Sequence, residues 1–261
     1  MNPMPLYMLG AFVFGCVIGS FLNVCIFRLP EGRSIVHPPS ACPHCGAHIA
    51  WYDNIPLVSF VILGRRCRNC SFPIAWRYPL VELLSGVLAV LLVWRYGPSA
   101  RFVIYYVLAA ALVVVTFIDI DHQVIPNEIS LPGIAIGFLS SFINPDIGWI
   151  DSAVGAVVGG GCLLLVIGVY YLLTKREGMG GGDVKLLAMI GAFLGVGGVL
   201  TTVLVGSIVG TVVGLSVMVK RGEDARMPIV FGPFLSLGAL TFVLIGRALL
   251  SRYFYFSSLL G

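Results

Sequence analysis

Three aspartates at the ends of apolar segments are the first residues whose type and spacing suggest catalysis. Asp119 and Asp121 lie in "VVVTFIDIDHQVIPN", where an apolar run ends, and Asp183 follows glycines in "REGMGGGDVKLL". An acid at membrane depth is costly and is a functional candidate by default. When two carboxylates lie a few ångström apart, one can hold a proton while the other takes a proton from an attacking water. A pair that includes Asp183 would therefore suit peptide hydrolysis.

The same aspartates also fit interpretations without catalysis. Asp183 can cap the N-terminus of a helix, where aspartate is favoured, and Asp119 can be an interfacial charge that reaches the lipid headgroups. Proton relays and ion sites use buried acids in the same way. From these residues alone, a protease, an ion or proton pathway and a structural role all stay open.

The glycines before Asp183 indicate open backbone close to the membrane. They are Gly178 and residues 180–182. Irregular backbone at membrane depth is tolerated where it lines a protein cavity, and glycine permits close approach by another chain. We expect this stretch to admit an extended substrate. It lacks the Gly-Lys-Ser/Thr ending of a phosphate-binding loop.

Four cysteines form two Cys-x-x-Cys pairs in the polar segment 29–77. The pairs lie in "CPHCG" and "CRNCS", with 21 residues between them, and consist of Cys42, Cys45, Cys67 and Cys70. Four thiolates at such spacing complete a closed tetrahedral zinc shell. A polar insert of this length buries little core, so the metal would supply much of its folding energy. Such a site is structural, because it has no open position for hydrolysis.

Two alternatives exist for these cysteines. They can form two disulfides or stay as free thiols, although a reducing cytoplasm disfavours disulfides. His44 and His48 can replace a ligand in principle, but four cysteines already fill the shell. We therefore expect both histidines to lie on the surface.

The elements that must position these residues are membrane helices. Of the 261 residues, 58% are hydrophobic and 11% are charged, and the mean hydropathy is +0.99. These values indicate an all-α polytopic membrane protein. We predict eight spans, with seven as the alternative, since the fourth and sixth are short and the sixth can be a half-helix broken from the seventh at residues 195–198. The predicted spans cover residues 4–27, 78–96, 101–118, 129–143, 152–173, 184–195, 198–219 and 228–246.

The predicted domains are a first transmembrane helix (1–28), a cytoplasmic tetra-cysteine zinc module (29–77) and a transmembrane bundle (78–261). With eight spans and the N-terminus outside, twelve Lys and Arg residues fall in inner loops and four fall outside. Because positive residues stay on the cytoplasmic side, we expect a periplasmic N-terminus. The net charge of +4 is then mostly an orientation signal and does not indicate nucleic-acid binding.

Several residues within the spans predict helix packing. Small residues recur at four-residue spacing and allow close helix approach, and Asn23 is expected to hydrogen-bond a neighbouring helix. Glu82, near the inner surface, can pair with Arg77 or help to receive a basic substrate segment. The small-residue motifs are Gly15-x3-Gly19, Gly155-x3-Gly159 and Gly206-x3-Gly210-x3-Gly214.

At these residues the chain resembles the bacterial type IV prepilin peptidases, the bifunctional leader peptidases and N-methyltransferases of pilus and type II secretion systems. The resemblance covers almost the whole sequence, and its motifs appear in the expected order. The Gly-x-Gly-Asp element at residues 180–183 is shared with presenilin-like proteases and alone would not identify the family. The motifs are "GSFLNVCIFRLP", the paired Cys-x-x-Cys insert, "FIDIDHQVIPN", "GMGGGDVKLLAMIGAFLG" and "FGPFLSLG".

The resemblance implies an inner-membrane aspartyl protease that acts on prepilins or pseudopilins. It would cut a short basic leader after a glycine at the cytoplasmic face, then methylate the new N-terminus from S-adenosylmethionine. The family's two catalytic aspartates correspond to Asp119 and Asp183. Asp119 is preferred to Asp121 because the family's first aspartate lies six residues before the Ile-Pro pair, here Ile125-Pro126.

Helix geometry agrees with that choice. Two positions along an α-helix rotate a side chain by about 200°, so Asp119 and Asp121 cannot both face Asp183. Asp121 is expected to face solvent, with an exchange of the two roles as the alternative.

No sequence motif indicates where the methyl donor binds. A Gly-x-Gly-x-x-Gly turn after a strand is missing, and the polar insert is too short for a nucleotide-binding α/β domain. A transporter or proton relay that uses the same aspartates, with the zinc module docking a partner, is the competing function. A non-catalytic assembly scaffold is the third.

Overall fold

The computed structural model describes residues 3–175, 180–221 and 230–246. This part of the chain is mostly helical, and it contains two isolated β-bridges, Ala41–His48 and Arg66–Pro73, in the largely irregular segment between the first two long helices. The all-α prediction is therefore confirmed. The helices are α1 (Met4–Arg28), α2 (Val58–Ile62), α3 (Arg77–Tyr96), α4 (Ala100–His122), α5 (Asn127–Ser140), α6 (Trp149–Thr174), α7 (Gly181–Arg221) and α8 (Gly232–Thr241), with a 3-10 turn at Trp51–Asn54 and a π-helical turn at Phe242–Gly246.

Five helices in the described part of the chain are long and apolar enough to cross a membrane. They are α1, α3, α4, α6 and α7. The predicted fourth span corresponds to α5, which has 14 residues, and the last corresponds to the short apolar helix Gly232–Gly246. The first two residues of that predicted span, 228 and 229, lie outside the described residues. The number of spans therefore stays a prediction.

Helix α7 contains the sixth and seventh predicted spans and breaks at Gly195. Its 41 residues would extend about 60 Å at 1.5 Å per residue, roughly twice the hydrocarbon thickness. Gly195 has φ +69° and ψ −173°, a region essentially restricted to glycine. The Asp151 side chain accepts a hydrogen bond from the freed Val196 N–H at 3.3 Å. The predicted interruption at this glycine is confirmed.

The chain forms two compact units, Met1–Val114 and Val115–Gly261, with the division inside α4. In the first unit, α1 packs closely on α3. A Cβ at Gly15 would lie 2.7 Å from the Gly86 Cα, and a Cβ at Gly19 would lie 2.6 Å from the Glu82 Cα. Both contacts are too short for any side chain, so the predicted small-residue surface is confirmed.

The predicted role of Asn23 is also confirmed within the first unit. Its side-chain amide donates to the Tyr78 carbonyl at 3.0 Å and to the Gly19 carbonyl at 3.3 Å. Tyr78 belongs to the first turn of α3. The amide thus joins α1 to the start of α3, where an apolar side chain would leave that carbonyl without this donor.

The second unit uses the same packing principle. Gly159 lies directly on the Leu187 carbonyl of α7, and Gly155 lies against Gly191. A Cβ at Gly206 would meet the Phe234 carbonyl of α8 at 3.1 Å. The contacts with α6 hold the N-terminal part of α7, and the contact with α8 holds the part beyond Gly195.

Candidate active site

Asp119 lies in the last turn of α4 and is only 6% exposed. Its Oδ2 accepts a hydrogen bond from the backbone N–H of Gly232 at 3.0 Å. Gly232 is the first residue of α8, and the first N–H groups of a helix have no partner within that helix. These groups also form the positive end of the helix dipole. The start of α8 therefore holds and orients the Asp119 carboxyl group.

Only glycine fits at position 232. A Cβ added there would overlap Oδ2 of Asp119. The sequence analysis identified "FGPFLSLG" as a motif and assigned no role to its glycine. The Gly-Pro pair is a local signal for a helix start, but the carboxylate that this start contacts lies 113 residues earlier in the chain.

Asp183 lies in the first turn of α7 and is partly buried. Its carboxyl group is close enough to that of Asp119 to interact with it electrostatically. The structure thus brings together two acids that are 64 positions apart, as the sequence predicts. Such a pair can hold one proton between two carboxyl groups, because two adjacent negative charges repel each other.

Two contacts fix the start of α7 against the loop that follows α4. A Cβ at Gly182 would lie 3.0 Å from the Cβ of Ile125, which is buried. Lys185 Nζ donates to Asn127 Oδ1 at 2.7 Å. Sequence reasoning missed this pair, although both residues belong to the motifs around the aspartates. The contacts explain how the segments that carry Asp119 and Asp183 stay adjacent.

Asp121 is exposed, in contrast to Asp119. The two residues belong to the same helix, and a difference of two positions turns their side chains to different sides. The predicted solvent-facing position of Asp121 is confirmed. The glycine-rich stretch is described from Gly180 onward, and its earlier part, Gly178 with Met179, lies outside the described residues.

The four cysteines of the polar insert form one cluster in the first unit. Their sulfur atoms all lie within 4.8 Å of one another, and the four residues are free thiols rather than disulfides. They could hold a metal ion. This arrangement agrees with the metal-site prediction and not with the disulfide alternative.

The two halves of the cluster have the same local structure. The Cys42 N–H donates to the Ala47 carbonyl, and the Cys67 N–H donates to the Phe72 carbonyl, both at 2.9 Å. The residue after each second cysteine has a positive φ, +70° at Gly46 and +58° at Ser71. This backbone turns each Cys-x-x-Cys pair into a tight knuckle that points both sulfur atoms in one direction.

The cluster environment favours a bound cation. Backbone N–H groups of Cys45 and His44 lower the pKa of the Cys42 thiol to about 7. A hydrogen bond from the Phe72 backbone lowers the pKa of the Cys70 thiol, but burial and the neighbouring sulfur atoms together outweigh it and raise that pKa to about 12. Four thiolates so close together repel each other, and a divalent cation removes that repulsion.

Neither His44 nor His48 joins the cluster. His44 is exposed and stacks on Phe72, with ring centroids 4.6 Å apart. His48 is also exposed. The prediction that both histidines lie on the surface is confirmed.

Two family models match the chain. The model described as "Bacterial Peptidase A24 N-terminal domain" matches residues 13–96. The model described as "Type IV leader peptidase family" matches residues 106–215, which include both Asp119 and Asp183. No solved structure matches the chain.

Curated proteins named "Prepilin leader peptidase/N-methyltransferase" are similar over most of the chain. The protein from Aeromonas hydrophila is 36% identical over 95% of this chain and 94% of its own length. The protein from Pseudomonas aeruginosa is 34% identical over 96% of this chain and 94% of its own. The protein from Myxococcus xanthus is 42% identical over 84% of this chain, but the match spans 65% of that relative's length.

Proposed function

Because the chain belongs to the type IV leader peptidase family, we propose that it is a bacterial inner-membrane aspartic endopeptidase that also methylates its product. Its substrates are prepilins or pseudopilins, and the bond cleaved follows the glycine that ends a short basic leader. The observation that carries this proposal is that Asp119 and Asp183 lie close enough to interact electrostatically. The five long apolar helices support the membrane location.

Cleavage by this pair follows from one shared proton. The ionised carboxylate takes a proton from a water molecule as the water oxygen attacks the scissile carbonyl, and the protonated carboxyl donates its proton to the carbonyl oxygen. As the tetrahedral intermediate collapses and the C–N bond breaks, the carboxyl that took the water proton donates it to the leaving nitrogen. The other carboxylate takes a proton from a hydroxyl of the intermediate, which restores the shared proton. Gly232 N–H orients Asp119 throughout, because its hydrogen bond occupies one carboxylate oxygen.

The proposed methyltransferase activity is supported by the names of the relatives and by the match to two separate family models. S-adenosylmethionine supplies a methyl group bound to a positively charged sulfur. A new C–N bond to the pilin N-terminus forms as the C–S bond breaks, and the amine loses a proton. Both aspartates lie in the part that matches the leader peptidase model. The part that matches the separate N-terminal model contains neither aspartate, so we assign methyl transfer to that part.

The tetra-cysteine cluster is proposed to hold a structural zinc ion. Tetrahedral sulfur coordination suits Zn²⁺, and four ligands leave no position for a substrate. The positive-inside distribution of Lys and Arg supports a periplasmic N-terminus and an active site at the cytoplasmic face.

Mass spectrometry of one reaction tests both activities. Purified protein in detergent is incubated with a synthetic prepilin and S-adenosylmethionine. We expect loss of the leader mass and a gain of one methyl group on the mature N-terminus. Cleavage without any ion gradient separates a peptidase from a transporter, which would need sealed vesicles. An intact prepilin under these conditions would refute the peptidase, and cleavage without methylation would refute only the methyl-transfer clause.

The Gly232→Ala variant should lose about a hundredfold in the turnover number for cleavage. The added Cβ displaces the Asp119 carboxylate, and a misplacement of about 1 Å can have an effect of this size. The Michaelis constant should change little, because Gly232 is not proposed to hold the leader. Steady-state kinetics of leader cleavage measures both constants.

Gly161→Ala is the matched control for this variant. Gly161 lies on α6 with open space around it, so the same chemical change should leave cleavage unaltered. If Gly232→Ala cleaved the leader with the same turnover number as Gly161→Ala and the unsubstituted protein, the positioning role of Gly232 would be contradicted.

A further inference from the structure

A cavity of about 450 Å³ lies in the first unit, between α1, α3 and the cysteine-containing segment. Its volume is within the range of about 300–1,000 Å³ typical of small-molecule and cofactor sites. Both catalytic candidates belong to the second unit. Every residue of the lining belongs to the first unit, so the lining includes neither aspartate, and its chemistry points to a different ligand.

The lining contains one buried carboxylate that has no cationic partner in the described part of the chain. Glu82 is 9% exposed and accepts hydrogen bonds from the Leu57 N–H, at 2.8 Å, and from the Ser20 hydroxyl. Both donors are uncharged. The other acid of the lining, Asp53, already pairs with Arg68 through two hydrogen bonds of 2.6 and 2.8 Å. Because burial of an unpaired charge is unfavourable, Glu82 is suited to a ligand that carries positive charge.

The rest of the lining suits a ligand that also has a planar apolar part and a negative group. Phe27, Phe60 and Tyr78 supply aromatic surface, which favours a nucleobase or another flat ring. Arg28 and Arg33 also line the cavity. Arg33 pairs with Glu31, so Arg28 is the positive group that favours a carboxylate. A basic leader peptide fits less well, because Arg28 would repel it.

These features match the methyl donor of the proposed function. S-adenosylmethionine carries a sulfonium and an ammonium group, an adenine ring and a carboxylate in one molecule. We propose that this cavity binds S-adenosylmethionine and that the Glu82 carboxylate is the counter-charge for its cationic end. This inference rests on the proposed methyl-transfer activity and gives it a location in the first unit.

Equilibrium binding tests this location independently of turnover. Full-length protein in detergent is titrated with radiolabelled S-adenosylmethionine in the absence of pilin. We expect saturable binding by the unsubstituted protein and at least about tenfold weaker binding by Glu82→Gln. The amide can still accept the hydrogen bond from Leu57, so the fold should be retained. Unchanged metal content and unchanged resistance to limited proteolysis verify that it is.

Two more variants test whether weaker binding is specific to the cavity. Glu128→Gln removes the same charge from an exposed acid outside the lining, so its binding should match that of the unsubstituted protein. Ser20→Phe places an aromatic ring in the cavity and should also weaken binding at least about tenfold. Equal affinity for the unsubstituted protein, Glu82→Gln and Ser20→Phe would overturn the proposed site.

The outcomes separate this inference from the proposed function. If the unsubstituted protein methylates cleaved pilin while Glu82→Gln and Ser20→Phe bind the donor normally, the cavity assignment fails and the methyltransferase remains. If the unsubstituted protein neither binds the donor nor methylates, both fail. If Glu82→Gln loses affinity for a synthetic leader peptide while donor binding is unchanged, the cavity holds the leader and the assignment is overturned.

Discussion

Asp119→Asn and Asp183→Asn should each lower leader cleavage by about a thousandfold or more. An amide resembles a carboxylate in shape but cannot exchange a proton with the attacking water or the scissile carbonyl, and proton transfer by a positioned side chain contributes about 10²–10⁴-fold. The amide oxygen of Asp119→Asn can still accept the hydrogen bond from Gly232. The loss should therefore appear in turnover, measured by mass spectrometry of a synthetic prepilin, while the protein stays folded.

Asp121→Asn is the control for these variants. Asp121 lies on the same helix but is exposed, so its replacement should leave cleavage close to that of the unsubstituted protein. Normal cleavage by either of the first two variants would remove that residue from the mechanism. Loss in Asp121→Asn together with normal cleavage in Asp119→Asn would exchange their roles.

Cys42→Ser should release the bound metal and unfold the cysteine-containing segment. Structural zinc contributes apparent binding free energies of about 10–16 kcal/mol in small zinc-binding domains, and loss of one thiolate opens the shell of four. Elemental analysis should find about one zinc ion per unsubstituted chain and much less in the variant. Limited proteolysis should then cut the variant between residues 29 and 77.

Cys162→Ser provides the matched control, because Cys162 is an exposed thiol on α6 outside the cluster. It should keep the metal and resist proteolysis like the unsubstituted protein. A full metal content in Cys42→Ser would exclude Cys42 as a ligand, and the absence of metal from the unsubstituted protein would refute the zinc proposal.

The cavity assignment places the two proposed activities in different units of the chain. The aspartate pair belongs to the second unit, whereas the cavity that contains Glu82 belongs to the first. Variants of one site are therefore expected to leave the other activity measurable. Asp183→Asn should still bind the methyl donor, and Glu82→Gln should still cleave the leader.

Features that depend on local spacing were accessible from the sequence. Apolar runs predicted the long helices, because a bilayer sets both their length and their composition. The Cys-x-x-Cys spacing predicted the cluster, since each knuckle forms within a few residues. Helical rotation predicted that Asp119 and Asp121 face different sides, because the angle between two side chains on one helix follows from their separation alone. The resemblance selected Asp119, which is the buried one.

Features that depend on packing between distant segments required the tertiary structure. The contact of Gly232 with Asp119 and that of Leu57 with Glu82 join residues separated by 113 and 25 positions. Neither follows from periodicity, because a helix pattern indicates which face is buried and not what covers it. The sequence by itself determined the helices, the metal-binding pattern and the candidate acids. Tertiary packing alone determined which backbone amide orients Asp119 and which cavity contains Glu82, since these depend on how separate helices approach one another.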